Sequence, residues 1–169
     1  MSRFAWFVHR LWHWLVRLLR RLLGLPAPGA RLVEGSAGAP DGAVAGAFLA
    51  APRRDYLLRV PAGYRADRAR PLLVWIHGCK QSPEDFLARA GVGARADAGQ
   101  CLVLAPRQSR LANPLRCWNW FDPATARGAG EAAIVAAQID AVCRDWQVDP
   151  DRVYVCGLSS GGAMAAVLA

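Results

Sequence analysis

Apolar residues change their spacing along this chain, and each change marks a structural element. Between Phe4 and Leu25 most positions are apolar. Yet His9, Arg10, His13, Arg17, Arg20 and Arg21 all fall within one arc of about 120° on a helix. Residues 1–25 therefore read as an amphipathic basic helix. Four arginines near the centre of a membrane span would cost about 10 kcal/mol, against roughly 4 to 8 returned by the apolar residues. A helix lying in the interface fits better, with its tryptophans at headgroup depth. Two alternatives stay open: docking on the chain's own domain or a partner, and an export signal whose apolar stretch Arg17, Arg20 and Arg21 interrupt. Pro26, Pro28 and Gly29 end the helix, and residues 26–45, rich in Pro, Gly and Ala, read as a linker.

From residue 46 onward strand and helix patterns alternate. Tyr56–Val60 is a short apolar run closed by Pro61-Ala62-Gly63, a strand and turn. Leu72–Ile76 is continuously apolar, as a strand covered on both faces would be. Ser82-Pro83-Glu84-Asp85 combines a cap, a first-turn proline and an acidic first turn, so a helix is expected to about Ala98. Cys101–Ala105 predicts the next strand, Glu131–Trp146 a helix and Arg152–Cys156 another strand. A helix of small residues begins at Gly161. This alternation predicts an α/β domain over residues 46–169, a mostly parallel sheet with flanking helices.

Composition changes the picture in one respect. The chain has 169 residues, 54% of them hydrophobic and 20% charged, which excludes a disordered chain. Its net charge of +8 suggests a nucleic-acid partner, but residues 1–31 hold six Arg and no acid. The other 138 residues hold 15 basic and 13 acidic side chains, so the basic character belongs to the tail. A nucleic-acid-binding domain would cluster its Lys and Arg on the folded body. No Cys/His group has zinc spacing, and neither a metal nor a cofactor is expected.

The candidate chemistry sits at one turn. The strand Arg152–Cys156 runs into Gly157-Leu158-Ser159-Ser160-Gly161-Gly162, and a helix follows. This is a G-x-S-x-G nucleophile elbow in the context it requires, with Ser159 Oγ presented at the open end of a sheet. The turn leaves no room for bulk two residues either side of the serine, which explains Gly157 and Gly161. A Gly-rich turn that binds phosphate is the alternative, though no P-loop lysine accompanies it. The strand Leu72–Ile76 ends in His77-Gly78-Cys79, with Gln81 following. In α/β-hydrolases the loop after this strand supplies one oxyanion-hole N–H, and the residue after the nucleophile supplies the other. Those donors are expected near Cys79 and at Ser160. His77 is expected to hold its loop by hydrogen bonds, with general base as the alternative, because the triad order of this fold is Ser, acid, His.

Taken together, His77-Gly78-Cys79-x-Gln81, Arg116-Cys117-Trp118-Asn119-Trp120-Phe121, Gly130-Glu131 and Val153-Tyr154-Val155-x-Gly157-Leu158-Ser159-x-Gly161-Gly162-Ala163-Met164 resemble the esterase, poly(3-hydroxybutyrate) depolymerase family, relatives of feruloyl and acetylxylan esterases. The resemblance covers about residues 54–169. It implies an α/β-hydrolase fold and a secreted serine hydrolase of carboxylic esters, with Ser159 as nucleophile. The substrate would be a polyester or a small acyl or aryl ester. Trp118 and Trp120 shape the ester site or simply pack. Cysteines 79, 101, 117, 143 and 156 are odd in number. Cys101 and Cys156 suit small buried positions, while Cys79 and Cys117 flank loops that should meet, so that they either pair in an exported protein or stay free.

The acid and histidine of such a triad follow the serine, and neither has a candidate between Ser159 and Ala169. The chain is therefore expected to be the N-terminal portion of a longer esterase, and a poor esterase alone. Two other functions remain open. One is a non-catalytic, membrane-surface binding protein built on a degenerate hydrolase half, with residues 4–25 contacting a membrane or hydrophobic surface. The other is a related serine hydrolase of aryl or acetyl esters or of peptides.

Overall fold

The structure is a computed structural model, and it describes Trp12, Trp14, Leu15 and residues 29–39, 52–89 and 91–169. The expected basic helix lies outside the described residues, apart from Trp12, Trp14 and Leu15, which are helical and exposed.

Five strands form one sheet: β1 (Arg31–Gly38), β2 (Arg53–Val60), β3 (Arg70–Ile76), β4 (Leu102–Pro106) and β5 (Val148–Gly157). Their spatial order is β1-β2-β4-β3-β5. The expected parallel portion is β4-β3-β5, while β1 pairs antiparallel with β2 and β2 antiparallel with β4. Part of the segment read as a linker is thus a strand. Gly35, Ser36, Ala37 and Gly38 pair with Tyr56, Asp55, Arg54 and Arg53. A Cβ at Gly35 would overlap the Tyr56 ring, and one at Gly38 would lie 2.6 Å from Pro52 O. Glycine and alanine here answer a packing demand rather than marking a loop.

The remaining elements are helices α1 (Pro83–Arg89), α2 (Val92–Gly99), α3 (Gly130–Asp145) and α4 (Ser160–Leu168), with a single 3₁₀ turn at Thr125–Arg127. Ser82 caps α1: its Oγ accepts the Asp85 N–H at 3.2 Å and donates to the Asp85 carboxylate at 2.9 Å. The one helix expected from Ser82 to Ala98 is two, because Gly91 adopts φ 61° and breaks the run.

The sheet separates two apolar layers, and side-chain alternation along each strand builds them. Leu58, Val60, Leu72, Val74, Ile76, Leu102 and Leu104 face Ala132, Val135, Val142 and Met164 of α3 and α4. Leu57, Val103 and Ala105, with Leu73 and Trp75, face Leu87, Val92 and Ala96 of α1 and α2. Coverage on both faces is why β3 and β4 read as unbroken apolar runs.

Candidate active site

The site forms where two neighbouring parallel strands end together. Trp75 pairs with Cys156 and Ile76 with Gly157, so β3 and β5 finish side by side. Leu158 N donates to Ile76 O at 3.1 Å, which ties the turn after β5 to the end of β3. Open sheets hold their ligands at the carboxyl ends of such strands.

Ser159 is exposed at the apex of the strand–turn–helix and precedes the first residue of α4. Its backbone adopts φ 54° and ψ −122°, a region that costs a non-glycine residue about 1–3 kcal/mol. Close approach enforces this geometry. A Cβ on Gly157 would lie 2.7 Å from Ile76 O, and one on Gly161 would collide with the carbonyls of Ile76 and His77. Gly78 lies close to the same turn, since a Cβ there would sit 3.1 Å from both Leu158 O and Gln81 Oε1.

Around the serine, two loops are stitched to the turn. Cys79 and Cys117 form a disulfide, which resolves the pairing the sequence left open. Cys101, Cys143 and Cys156 are free thiols, and burial raises the pKa of all three. Lys80 N donates to Leu115 O at 2.7 Å. Gly78 N donates to Gln81 Oε1 at 2.7 Å, so Gln81 closes the loop after β3 upon itself. Ser160 Oγ accepts the Trp118 N–H at 3.3 Å and donates to Cys79 Sγ at 3.4 Å. No backbone acceptor among the described residues takes the Cys79 or Ser160 N–H.

His77 is fully buried and has both ring nitrogens occupied. Nδ1 donates to Gly78 O at 2.7 Å, and Nε2 accepts the Gln108 N–H at 3.3 Å. Burial pushes its pKa down, against the opposing pull of the hydrogen bond to Gly78. A neutral imidazole with no free lone pair holds a loop. It has no means of taking a proton from Ser159.

The two tryptophans divide the readings between them. Trp118 is 1% exposed and donates Nε1–H to His77 O at 3.0 Å, so it packs beneath the loops. Trp120 is 43% exposed and meets the exposed Phe121 edge to face.

Beneath the site lies a buried polar cluster not anticipated among the candidate residues. Glu131 Oε1 accepts Arg54 Nη1 at 3.0 Å, Gln108 Nε2 at 2.8 Å and Asn119 Nδ2 at 3.0 Å. Its Oε2 accepts the Asn119 N–H at 2.8 Å. Gln108 also donates to Cys117 O at 2.9 Å, and its carbonyl oxygen accepts from Arg54. A signal was present in the sequence. Glu131 and Gln138 share the face of α3 that carries Ile134, Val135 and Val142, and polar residues on an apolar stripe need buried partners. Among the described residues, no group of three or more His, Cys, Asp or Glu could hold a metal ion, and no helix is long and apolar enough to cross a membrane.

The profile of the esterase PHB depolymerase family matches residues 54–169. The chain belongs to that family. A poly(3-hydroxyalkanoate) depolymerase C of Paucimonas lemoignei is 38% identical over 111 residues, covering 65% of this chain and 26% of that protein. A feruloyl esterase B of Neurospora crassa is 30% identical over 100 residues, covering 58% of this chain and 33% of that protein. Among solved structures, an acetyl xylan esterase from Aspergillus awamori superposes with TM-score 0.66 at 19% identity, covering 84% of this chain and 47% of that one. The chain spans only a quarter to a third of these two curated relatives. The family and the α/β-hydrolase fold are the chain's own.

Proposed function

We propose that this chain carries the nucleophile portion of a serine hydrolase acting on carboxylic esters, polyesters included, through an acyl-enzyme on Ser159. One observation carries the reading: an exposed serine in a strained backbone conformation at the strand–helix turn, with the neighbouring Ser160 N–H and the Cys79 N–H of the loop after β3 both lacking a backbone acceptor among the described residues. Ser159 Oγ attacks the ester carbonyl carbon. The carbonyl oxygen becomes an oxyanion and accepts hydrogen bonds from the Cys79 and Ser160 N–H groups, which α4 reinforces with its N-terminal dipole. The carbonyl re-forms, the alkoxy group leaves as alcohol, and water later cleaves the acyl-enzyme. The serine proton needs an acceptor, and His77 is committed on both nitrogens. Among the described residues His77 is the one histidine, and it is not that acceptor.

The names of the relatives support esters of hydroxyalkanoates, ferulate or acetylated xylan as the substrate range. The Cys79–Cys117 disulfide supports an oxidising, extracellular setting. The charge pattern of residues 4–25 supports contact with a membrane or hydrophobic surface.

The test is hydrolysis of p-nitrophenyl butyrate by the polypeptide that carries this chain. Ser159→Ala is expected to lower kcat by at least about 10³-fold, because a triad works as a unit. Wild-type turnover in that variant would remove Ser159 from the mechanism.

A further inference from the structure

We infer that Glu131 is a positioning residue for the oxyanion site, acting on the Cys79 and Ser160 amides through the loop from Leu115 to Asn119. The inference rests on the serine-hydrolase reading above. It goes further, because it assigns a role to a carboxylate that contacts no part of the turn itself.

The connections run in one direction. Each proposed amide donor is fastened to this loop rather than to the sheet alone. Cys79 is joined covalently to Cys117, and its neighbour Lys80 donates to Leu115 O at 2.7 Å. Ser160 is held through its side chain, whose oxygen accepts the Trp118 N–H at 3.3 Å and whose hydroxyl donates to Cys79 Sγ at 3.4 Å. Residues 117 and 118 therefore fix both donors at once, and any shift of the loop moves them relative to Ser159.

The loop in turn is fixed from below by one carboxylate. Glu131 Oε2 accepts the Asn119 N–H at 2.8 Å, and Oε1 accepts Asn119 Nδ2 at 3.0 Å. Through Gln108, which donates to both Glu131 Oε1 (2.8 Å) and Cys117 O (2.9 Å), the same group reaches the disulfide. Glu131 stands at the start of α3, and its own N–H donates to Thr125 Oγ1 at 3.2 Å. The anchor thus belongs to a rigid helix packed on the sheet. Arg54, from β2, supplies the balancing charge at 3.0 Å in a site where both side chains are 3% exposed. Four donors on one buried carboxylate make a directional post, and a neutral amide cannot accept all four. In Glu131→Gln, an NH₂ must replace one of the two oxygens. If it takes the Oε2 place it faces the Asn119 N–H and releases the loop; if it takes the Oε1 place it faces three donors. A misplacement of about 1 Å in a catalytic site can cost about 10²-fold, and removing an oxyanion donor outright lowers kcat by about 10²–10³-fold.

The experiment uses the polypeptide that carries this chain. Its active sites are counted by a fluorophosphonate probe, and kcat and KM for p-nitrophenyl butyrate are measured well below the unfolding transition. Glu131→Gln is expected to lower kcat per titrated site about tenfold or more, with KM within twofold of wild type. An unchanged kcat per site alongside a lowered melting temperature would make Glu131 merely structural and overturn the inference. So would a raised KM at constant kcat, which would make the loop a binding wall. Should Glu131→Gln not fold, Asn119→Ala decides by the same criteria: it removes the Nδ2 contact with Glu131, together with the side-chain bonds to Ala112 O and Asn113 that hold the same loop, and leaves the backbone contact with Glu131. A smaller fall in kcat at constant KM is expected there, and an unaltered kcat overturns the inference. Failure of the underlying reading looks different: the wild type itself would neither hydrolyse the ester nor take up the probe, and the inference would fall with it.

Discussion

Replacing Arg54 by Met tests how far the buried charge cluster stabilises the fold. Arg54 and Glu131 are each 3% exposed and 3.0 Å apart, so removing the guanidinium strands a carboxylate in a medium that solvates it poorly. Breaking a buried pair in this way costs about 3–5 kcal/mol. Two features place this case at the lower end. Glu131 keeps three other donors, from Gln108 and from both nitrogens of Asn119. Arg54 also leaves its Nε and Nη2 without hydrogen-bond partners, so the native arrangement already carries a desolvation cost. About 3 kcal/mol is the expected loss, or about 6–12 °C in Tm for a domain of this size. Urea and thermal unfolding followed by circular dichroism measure it. Arg54→Met with Glu131→Met should not recover the loss, although apolar replacement of a buried pair is often neutral. Here the Asn119 N–H and Gln108 Nε2 would lose their acceptor. A loss below about 1 kcal/mol in the single variant, or full recovery in the double, would refute the view that the cluster is a carboxylate serving loop donors.

Three further outcomes follow from the geometry. Gly161→Ala should destabilise by about 3 kcal/mol or more in urea titration, because the new methyl meets the Ile76 and His77 carbonyls rather than a movable side chain. Trp118→Ala should cost about 3–5 kcal/mol and Trp120→Ala under about 1 kcal/mol, a contrast that buried and exposed rings of one loop require. His77 binds its proton more weakly folded than unfolded, where its pKa is near 6.5. The unfolded chain thus takes up more protons below that pH. Stability from this group is complete above about pH 6.5 and declines on acidification, so urea midpoints should fall from pH 7 to 5. Replacement by Asn should flatten that fall, and an unchanged slope in the variant would assign it elsewhere.

The parts legible in the sequence are those set by local rules. Continuous apolar runs marked β3 and β4, Ser82-Pro83 marked the start of α1, and glycines two residues either side of Ser159 marked a turn too tight for Cβ atoms. The position of Ser159 at that turn follows from those glycines, since the requirement they meet lies within five residues. Strand β1 was hidden because its glycines answer to neighbours distant in sequence, Gly35 to the Tyr56 ring and Gly38 to the Pro52 carbonyl. The break between α1 and α2 turns on a single left-handed glycine, which a periodicity over sixteen residues averages away.

What tertiary structure alone decided is which groups share the space beneath the serine. The pairing of Cys79 with Cys117 depends on two loops 38 residues apart arriving at one place, and spacing along the chain does not encode that. The same is true of Arg54, Gln108, Asn119 and Glu131, whose side chains converge from four separate segments. Sequence can flag a carboxylate on an apolar face as needing partners. Only the packing of α3 against β2 and the loops names them, because buried hydrogen bonds are satisfied by proximity in space and not along the chain.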